Sequence, residues 1–178
     1  MRIAKVIKQK TMSNSNTPPP PLNWLYKFWA TGFGSGYTPV APGTAGAVVG
    51  VILIWLSNYF FFPNAAISFP VFLSIATIIF FFIGVFCTDK LEAEWGKDPS
   101  KVVIDEIIGV WIGMLWLPIE WPWLLAAFVL FRFFDILKPL GIRKLEAIPG
   151  GMGVMLDDVL AGVYTLVVLQ VAFYFLSM

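Results

Sequence analysis

Between Phe28 and Thr88 the chain carries no Asp, Glu, Lys or Arg. Two long apolar runs fill most of that interval, residues 45–62 and 67–88, and the break Phe62-Pro63-Asn64 between them reads as a short turn. At ~1.5 Å per helical residue each run reaches across a hydrocarbon core about 30 Å thick, the first only just. The pair predicts a transmembrane hairpin. A charged block follows at 89–106, and then two shorter apolar runs, 107–119 and 121–131, parted by a segment containing Pro118, Glu120 and Pro122. Neither short run spans alone. Each does if its helix continues into polar residues on one side, giving segments 101–117 and 123–138, with Trp116, Trp121 and Trp123 as an aromatic belt at the opposite side. After a second polar block at 135–158, residues 159–178 form a last uncharged segment of spanning length. The expectation is an all-α integral membrane helical bundle of about five spans, one membrane-embedded domain over residues 22–178.

Placing the charges on this pattern orients it. All 12 Lys and Arg fall on the side of the N-terminus, as does every acidic residue except Glu120. Cytoplasmic loops are enriched in Lys and Arg, so the N-terminus is expected in the cytoplasm and the C-terminus on the far side. Residues 1–21 stand apart. The first ten carry Arg2, Lys5, Lys8 and Lys10 without the apolar stretch of a secretory signal, and 11–21 are Ser, Asn, Thr and Pro. They read as a disordered cytoplasmic tail and linker, with attraction to anionic lipid as the alternative.

Composition agrees and removes several classes of function. Apolar residues make up 58% of the 178 and charged residues 13%, against roughly 25% charged in soluble domains. A water-facing surface would not tolerate 8 Trp and 17 Phe, so a soluble domain is excluded. The net charge of +1 provides no electrostatic footprint for nucleic acid. The absence of His removes histidine phosphotransfer, Ser-His-Asp hydrolysis and His-ligated zinc. Cys87 is the single thiol and lies within an apolar run, so it reads as a small buried filler rather than a disulfide or metal ligand.

Four polar clusters fall at span ends on the cytoplasmic side. The first, residues 31–44, is rich in Gly, Thr and Pro; its exposed amides, around Gly34 and Gly43, and Thr44 as a helix cap would make an anion site, unless the glycines merely end one segment and start another. In the second, Asp98 precedes Pro99 and reads as an N-cap. Asp105 and Glu106 then come almost two turns into the helix, with a Lys101–Asp105 pair as the structural alternative. The third places Arg132, Asp135 and Lys138 on one face of a helix; an ion-pair ladder is the plainer reading. The fourth, Gly150-Gly151-Met152-Gly153, leads to Asp157 and Asp158, where two carboxylates in a first helical turn exceed what capping needs. Together, Asp105, Glu106, Asp135, Asp157 and Asp158 converge on one rim. Their mutual repulsion at reduced dielectric calls for protonation or cations, and Arg132 with Lys138 leaves an excess suited to a hard divalent ion such as Mg²⁺.

In order along the chain, Gly32-Phe33-Gly34-Ser35-Gly36 with Pro42-Gly43-Thr44, then Asp105-Glu106-Ile107-Ile108-Gly109, then the run from Phe131 to Pro139, then Gly150-Gly151-Met152-Gly153 with Asp157-Asp158, resemble the phosphatidylglycerophosphatase A family of bacterial lipid phosphatases. The resemblance covers about 29–169. It implies a phosphoric monoester hydrolase that converts phosphatidylglycerophosphate to phosphatidylglycerol and phosphate with Mg²⁺, in the bacterial inner membrane with the site facing the cytoplasm. With no His and no Cys-x5-Arg or Asp-x-Asp nucleophile, the chemistry left is in-line attack by a metal-activated water. On that reading Glu106, Asp135 and Asp158 lead metal ligation, and Asp105 and Asp157 are further ligands or orient water. Arg132 and Lys138 hold the phosphate, helped by Thr44, Gly34 and Gly43. The membrane and a phospholipid are the partners, and a homo-oligomer is left open. Three rivals remain: a small transporter or proton pathway through the acidic cluster, a scaffold packed through Gly46 and Gly50, and a phospholipid-synthesising phosphotransferase, whose Asp-x2-Asp-Gly signature is missing.

Overall fold

A computed structural model describes residues 23–62, 68–139 and 141–178. The expected tail and linker at 1–21 and most of the expected turn after Phe62 lie outside the described residues. What is described is helical throughout: α1 (Asn23–Ala30), a 3-10 turn (Ser35–Tyr37), α2 (Pro42–Phe61), α3 (Ser68–Trp95), α4 (Ile104–Gly113), α5 (Trp121–Leu137), α6 (Ile142–Leu145) and α7 (Gly151–Leu176).

Among these, α2, α3 and α7 are long and apolar enough to cross a bilayer, with 20, 28 and 26 residues. The expected segments 101–117 and 123–138 are shorter as helices. α5 has 17 residues and α4 only 10, about 15 Å of rise. The reason is visible at both ends of α4. Upstream, the Val103 amide donates to the Ala30 carbonyl at 2.9 Å, which ties the approaching loop to the end of α1 instead of letting a helix start at Lys101. Downstream, the chain turns at Met114 and passes through a left-handed Trp116, φ +61°. Nor does α4 need to reach lipid on both sides, because nine of its ten residues are buried.

α4 is the hub. It packs against α2, α3, α5 and α7. Close approach is bought with missing side chains: a Cβ on Gly50 would sit 3.2 Å from the Ile107 backbone, and one on Gly162 would sit 2.6 Å from the Gly109 carbonyl. Trp111 locks the α2–α4 contact by donating its indole N–H to the Gly50 carbonyl at 3.0 Å. Gly46, read in the sequence as a packing glycine beside Gly50, indeed abuts Val103. Around this hub the outward side chains are apolar; Ile75, Phe82, Leu125, Val129 and Val167 are all more than half exposed. In water such a belt is an aggregation surface, and in a bilayer it is matched to its solvent.

The expected aromatic belt lies at one end of the bundle. Trp55 stacks on Tyr59 with centroids 5.6 Å apart and meets Trp121 at 5.5 Å, while Trp123 meets Phe173 at 5.5 Å. The sequence pattern did not indicate α1. It is fastened to the end of α3 by Asn23 and Lys27, which both donate to the Glu94 carboxylate, at 2.7 and 2.5 Å.

Candidate active site

The opposite end of the bundle gathers the N-termini of α2 and α4, the second turn of α7, the C-terminus of α5 and the loop from 96 to 103 around a cavity of about 220 Å³. Its acids are Asp98, Asp105, Glu106, Asp135, Asp157 and Asp158; its cations are Arg132 and Lys138. Two helix N-termini, those of α2 and α4, lend their positive dipole ends to the same space, which favours an anionic ligand.

Three of the five expected acids come together as a possible ligand set, and it is not the trio expected to lead. Asp105, Glu106 and Asp158 each place an oxygen within 4.8 Å of the others. Asp135 and Asp157 line the same cavity but are engaged by cations. Arg132 Nη1 donates to Asp135 Oδ2 at 2.5 Å and lies 3.9 Å from Glu106 Oε1. Lys138 Nζ donates to Asp157 Oδ2 at 2.7 Å and to Glu146 Oε1 at 2.6 Å. Burial alone would lower the Lys138 ammonium, but its bonds to Asp157 and Glu146 outweigh that and hold it above the usual lysine range, so it stays charged at neutral pH.

The acids fit a hard cation. Glu106 Oε2 is buried with no hydrogen-bond partner among the described residues, and so is Arg132 Nε. Leaving a buried charged group unsatisfied costs roughly 1–3 kcal/mol or more, so an orphaned oxygen on a glutamate grouped with two other carboxylates marks a place for a ligand. All the acidic donors are oxygens and the chain has no His, which suits Mg²⁺ or a similar ion and not zinc.

Several local expectations are corrected. Asp105 and Glu106 occupy the first turn of α4, not its second. Asp157 and Asp158 lie nearly two turns into α7, not in its first. Helix α7 starts early because Gly151 and Gly153 press on the Val85 and Ile148 carbonyls, where only glycine fits, and because Asp89 Oδ1 accepts the Gly151 N–H at 2.5 Å, capping the helix from α3. Asp98 does not cap α4. It sits six residues before that helix with φ +50° and lines the cavity, a site residue that the sequence pattern did not mark because only the reversal of the loop brings it in. Lys101 lies over the rings of Tyr37 and Trp95 and makes no ion pair with Asp105 among the described residues. Thr44 does not cap α2, whose N-cap is Ala41 with Pro42 next. Thr44 and Gly34 are not part of the cavity lining, whereas Gly43 is: a Cβ there would collide with Glu106 Oε1 and lie 3.0 Å from Arg132 Nη1.

The fold and the cavity define a membrane-embedded helical protein with a carboxylate-rich, cation-flanked site at one end of its bundle. The family model described as phosphatidylglycerophosphatase A matches residues 28–173, and the chain belongs to that family. It is 43% identical over 146 residues to a phosphatidylglycerophosphatase A of Haemophilus influenzae, covering 78% of this chain and 83% of that protein. It is 39% identical over 137 residues to the phosphatidylglycerophosphatase A of Escherichia coli, covering 75% of each chain. It is also 52% identical over 145 residues, 80% of this chain and 89% of the relative, to a Bacteroides thetaiotaomicron protein provisionally named phosphatidylinositol-3-phosphatase. No solved structure matches it. The chain is a phosphatase of membrane phospholipids.

Proposed function

We propose that the chain hydrolyses the terminal phosphomonoester of phosphatidylglycerophosphate to phosphatidylglycerol and inorganic phosphate, with Mg²⁺ at the α4–α7 acid cluster. The observation that carries this reading is the unpartnered Glu106 Oε2 within the Asp105–Glu106–Asp158 set, beside Arg132. Asp105, Glu106 and Asp158 would hold the ion, which when bound neutralises phosphate oxygens and activates water for attack.

The rest is the work of the chain's own residues. Arg132 is positioned to bind phosphate oxygens, with Asp135 fixing its guanidinium plane. Gly43 at the start of α2 lines the same cavity, and its amide would offer a neutral donor to the anion. Lys138 holds Asp157 in place and adds positive charge to the wall. In the reaction a water oxygen bonds to phosphorus, the bond to the glycerol oxygen breaks, and the water proton ends on that oxygen. The acyl chains stay in the bilayer while the phosphate reaches the rim. The sorting of Lys and Arg in the sequence supports a cytoplasmic rim in the bacterial inner membrane.

A second substrate reading has its own support in the name of the Bacteroides relative, a phosphatidylinositol-3-phosphatase. Both lipids carry the scissile phosphate on a hydroxylated headgroup. A proton pathway, by contrast, would need titratable groups through the bundle. Away from the acid end, the buried polar residues among those described include Thr77 and Thr165 but no acid or base.

The test is phosphate release by the purified protein from phosphatidylglycerophosphate, phosphatidylinositol 3-phosphate and phosphatidic acid, after EDTA and after Mg²⁺ is restored. Release from phosphatidylglycerophosphate that EDTA stops and Mg²⁺ restores supports the proposal. Release from phosphatidylinositol 3-phosphate alone transfers the chemistry to that substrate.

A further inference from the structure

We infer that a second cavity beside the acid site, about 280 Å³ in volume, receives the hydroxylated headgroup that carries the scissile phosphate; the inference rests on the phosphomonoesterase reading above. The two cavities share Asp98 and Asp157 as a common wall. Lys138 braces that wall, bonded to Asp157 on one side and to Glu146, which lines the second cavity, on the other. An ester with its phosphorus beside Asp105, Glu106 and Asp158 thus has a neighbouring chamber for its alcohol half.

The lining chemistry selects the kind of alcohol. Asp98, Glu146 and Asp157 present carboxylate acceptors and Lys97 one ammonium, while Ile148 supplies an apolar wall for a carbon skeleton. Hydroxyl donors satisfy such acceptors; with Lys138 already shared between Asp157 and Glu146, three carboxylates against Lys97 and Lys138 leave no surplus of positive charge for a second phosphate, and an acyl chain would strip the carboxylates of water. The cavity is also built from the loop before α4, the segment after α6 and the start of α7, away from the apolar flank of the bundle. It therefore takes a polyol, and the site favours monoesters on polyol headgroups over a phosphate attached directly to diacylglycerol. Sites that bond a ligand hydroxyl discriminate strongly against analogues lacking it.

The experiment is calorimetric binding of glycerol 3-phosphate and of inorganic phosphate to the full chain in phosphatidylcholine nanodiscs with Mg²⁺. The unmodified protein is compared with Ile148→Phe, which narrows the chamber, and Lys97→Ala, an exposed loop change that leaves the packing intact even if the first variant does not fold. The expected result is that glycerol 3-phosphate binds at least about tenfold more tightly than phosphate, and that the variants remove most of that advantage while phosphate binding changes less than about twofold. Equal binding of both ligands by the unmodified protein, or parallel weakening of both in the variants, overturns the inference. The phosphatase reading fails on a separate result, the absence of phosphate release from both phosphatidylglycerophosphate and phosphatidylinositol 3-phosphate in the same preparation.

Discussion

The two ends of the bundle are made from the same helices and solve opposite problems. At one end α2 and α5 close on each other through Trp55, Tyr59 and Trp121, ring against ring, and α5 meets α7 through Trp123 and Phe173. At the other end the same three helices, with α4 and the loop before it, hold six carboxylates and two cations around open space, and a buried glutamate oxygen there has no hydrogen-bond partner among the described residues. The aromatic end gains stability by filling volume. The acid end gives stability up, since its like charges are held close at reduced dielectric. On the proposed function the difference teaches that the bundle is a clamp: packing around α4 and at the aromatic end holds the opposing acids near one another, where a cation and a phosphate would bind.

Breaking the acid end should have the largest effect. Asp158→Asn removes one member of the carboxylate set without changing its shape, and phosphate release is expected to fall by roughly three orders of magnitude while the protein still inserts and elutes unchanged. Retained activity would take Asp158 out of the site. Next comes Gly43→Ala. The added methyl collides with Glu106 Oε1 and crowds Arg132, and a displacement of this kind near a reacting centre is expected to cost about 10²-fold in kcat/KM. Arg132→Lys keeps the charge but loses the planar fork; KM is expected to rise about tenfold, more than kcat falls, in steady-state assays. The comparison sharpens with the smallest effect. Trp121→Leu breaks the Trp55 contact and is expected to lower thermal stability, with about 0.5–1.5 kcal/mol lost beyond the area term, at unchanged kcat/KM. A Trp121→Leu enzyme that folds normally but loses turnover would show that the two ends are not separable in this way.

Much of this division is readable in the sequence, and the unreadable part has physical causes. The charge-free interval from Phe28 to Thr88, the sorting of Lys and Arg and the spacing of Arg132, Asp135 and Lys138 depend on composition and helical period, which are local. These local signals suffice to put the acids at one end of the bundle. Helix phase is not local. Whether Asp105 sits in a first or second turn depends on an amide of Val103 finding the Ala30 carbonyl 73 positions away. Whether Gly151 is a loop or a helix residue depends on Asp89 capping it from α3. The trio that gathers contains Asp105, whose place depends on that start of α4, and not Asp135, which Arg132 on the same helix holds. Asp98 was invisible as a site residue, because a left-handed residue in a reversing loop has no period to betray it. Gly34, which carries the glycine-rich motif as strongly as Gly43, has open space around it and lies outside the lining.

The central claim is that Asp105, Glu106 and Asp158 form a divalent-cation site. Titration of Mg²⁺ into the EDTA-stripped protein, followed by calorimetry and compared with Glu106→Gln, tests it most directly. The account predicts saturable binding by the unmodified protein that weakens at least about tenfold in the variant, in parallel with lost phosphate release. Equal Mg²⁺ binding by both proteins, or full phosphate release by the stripped one, would contradict it.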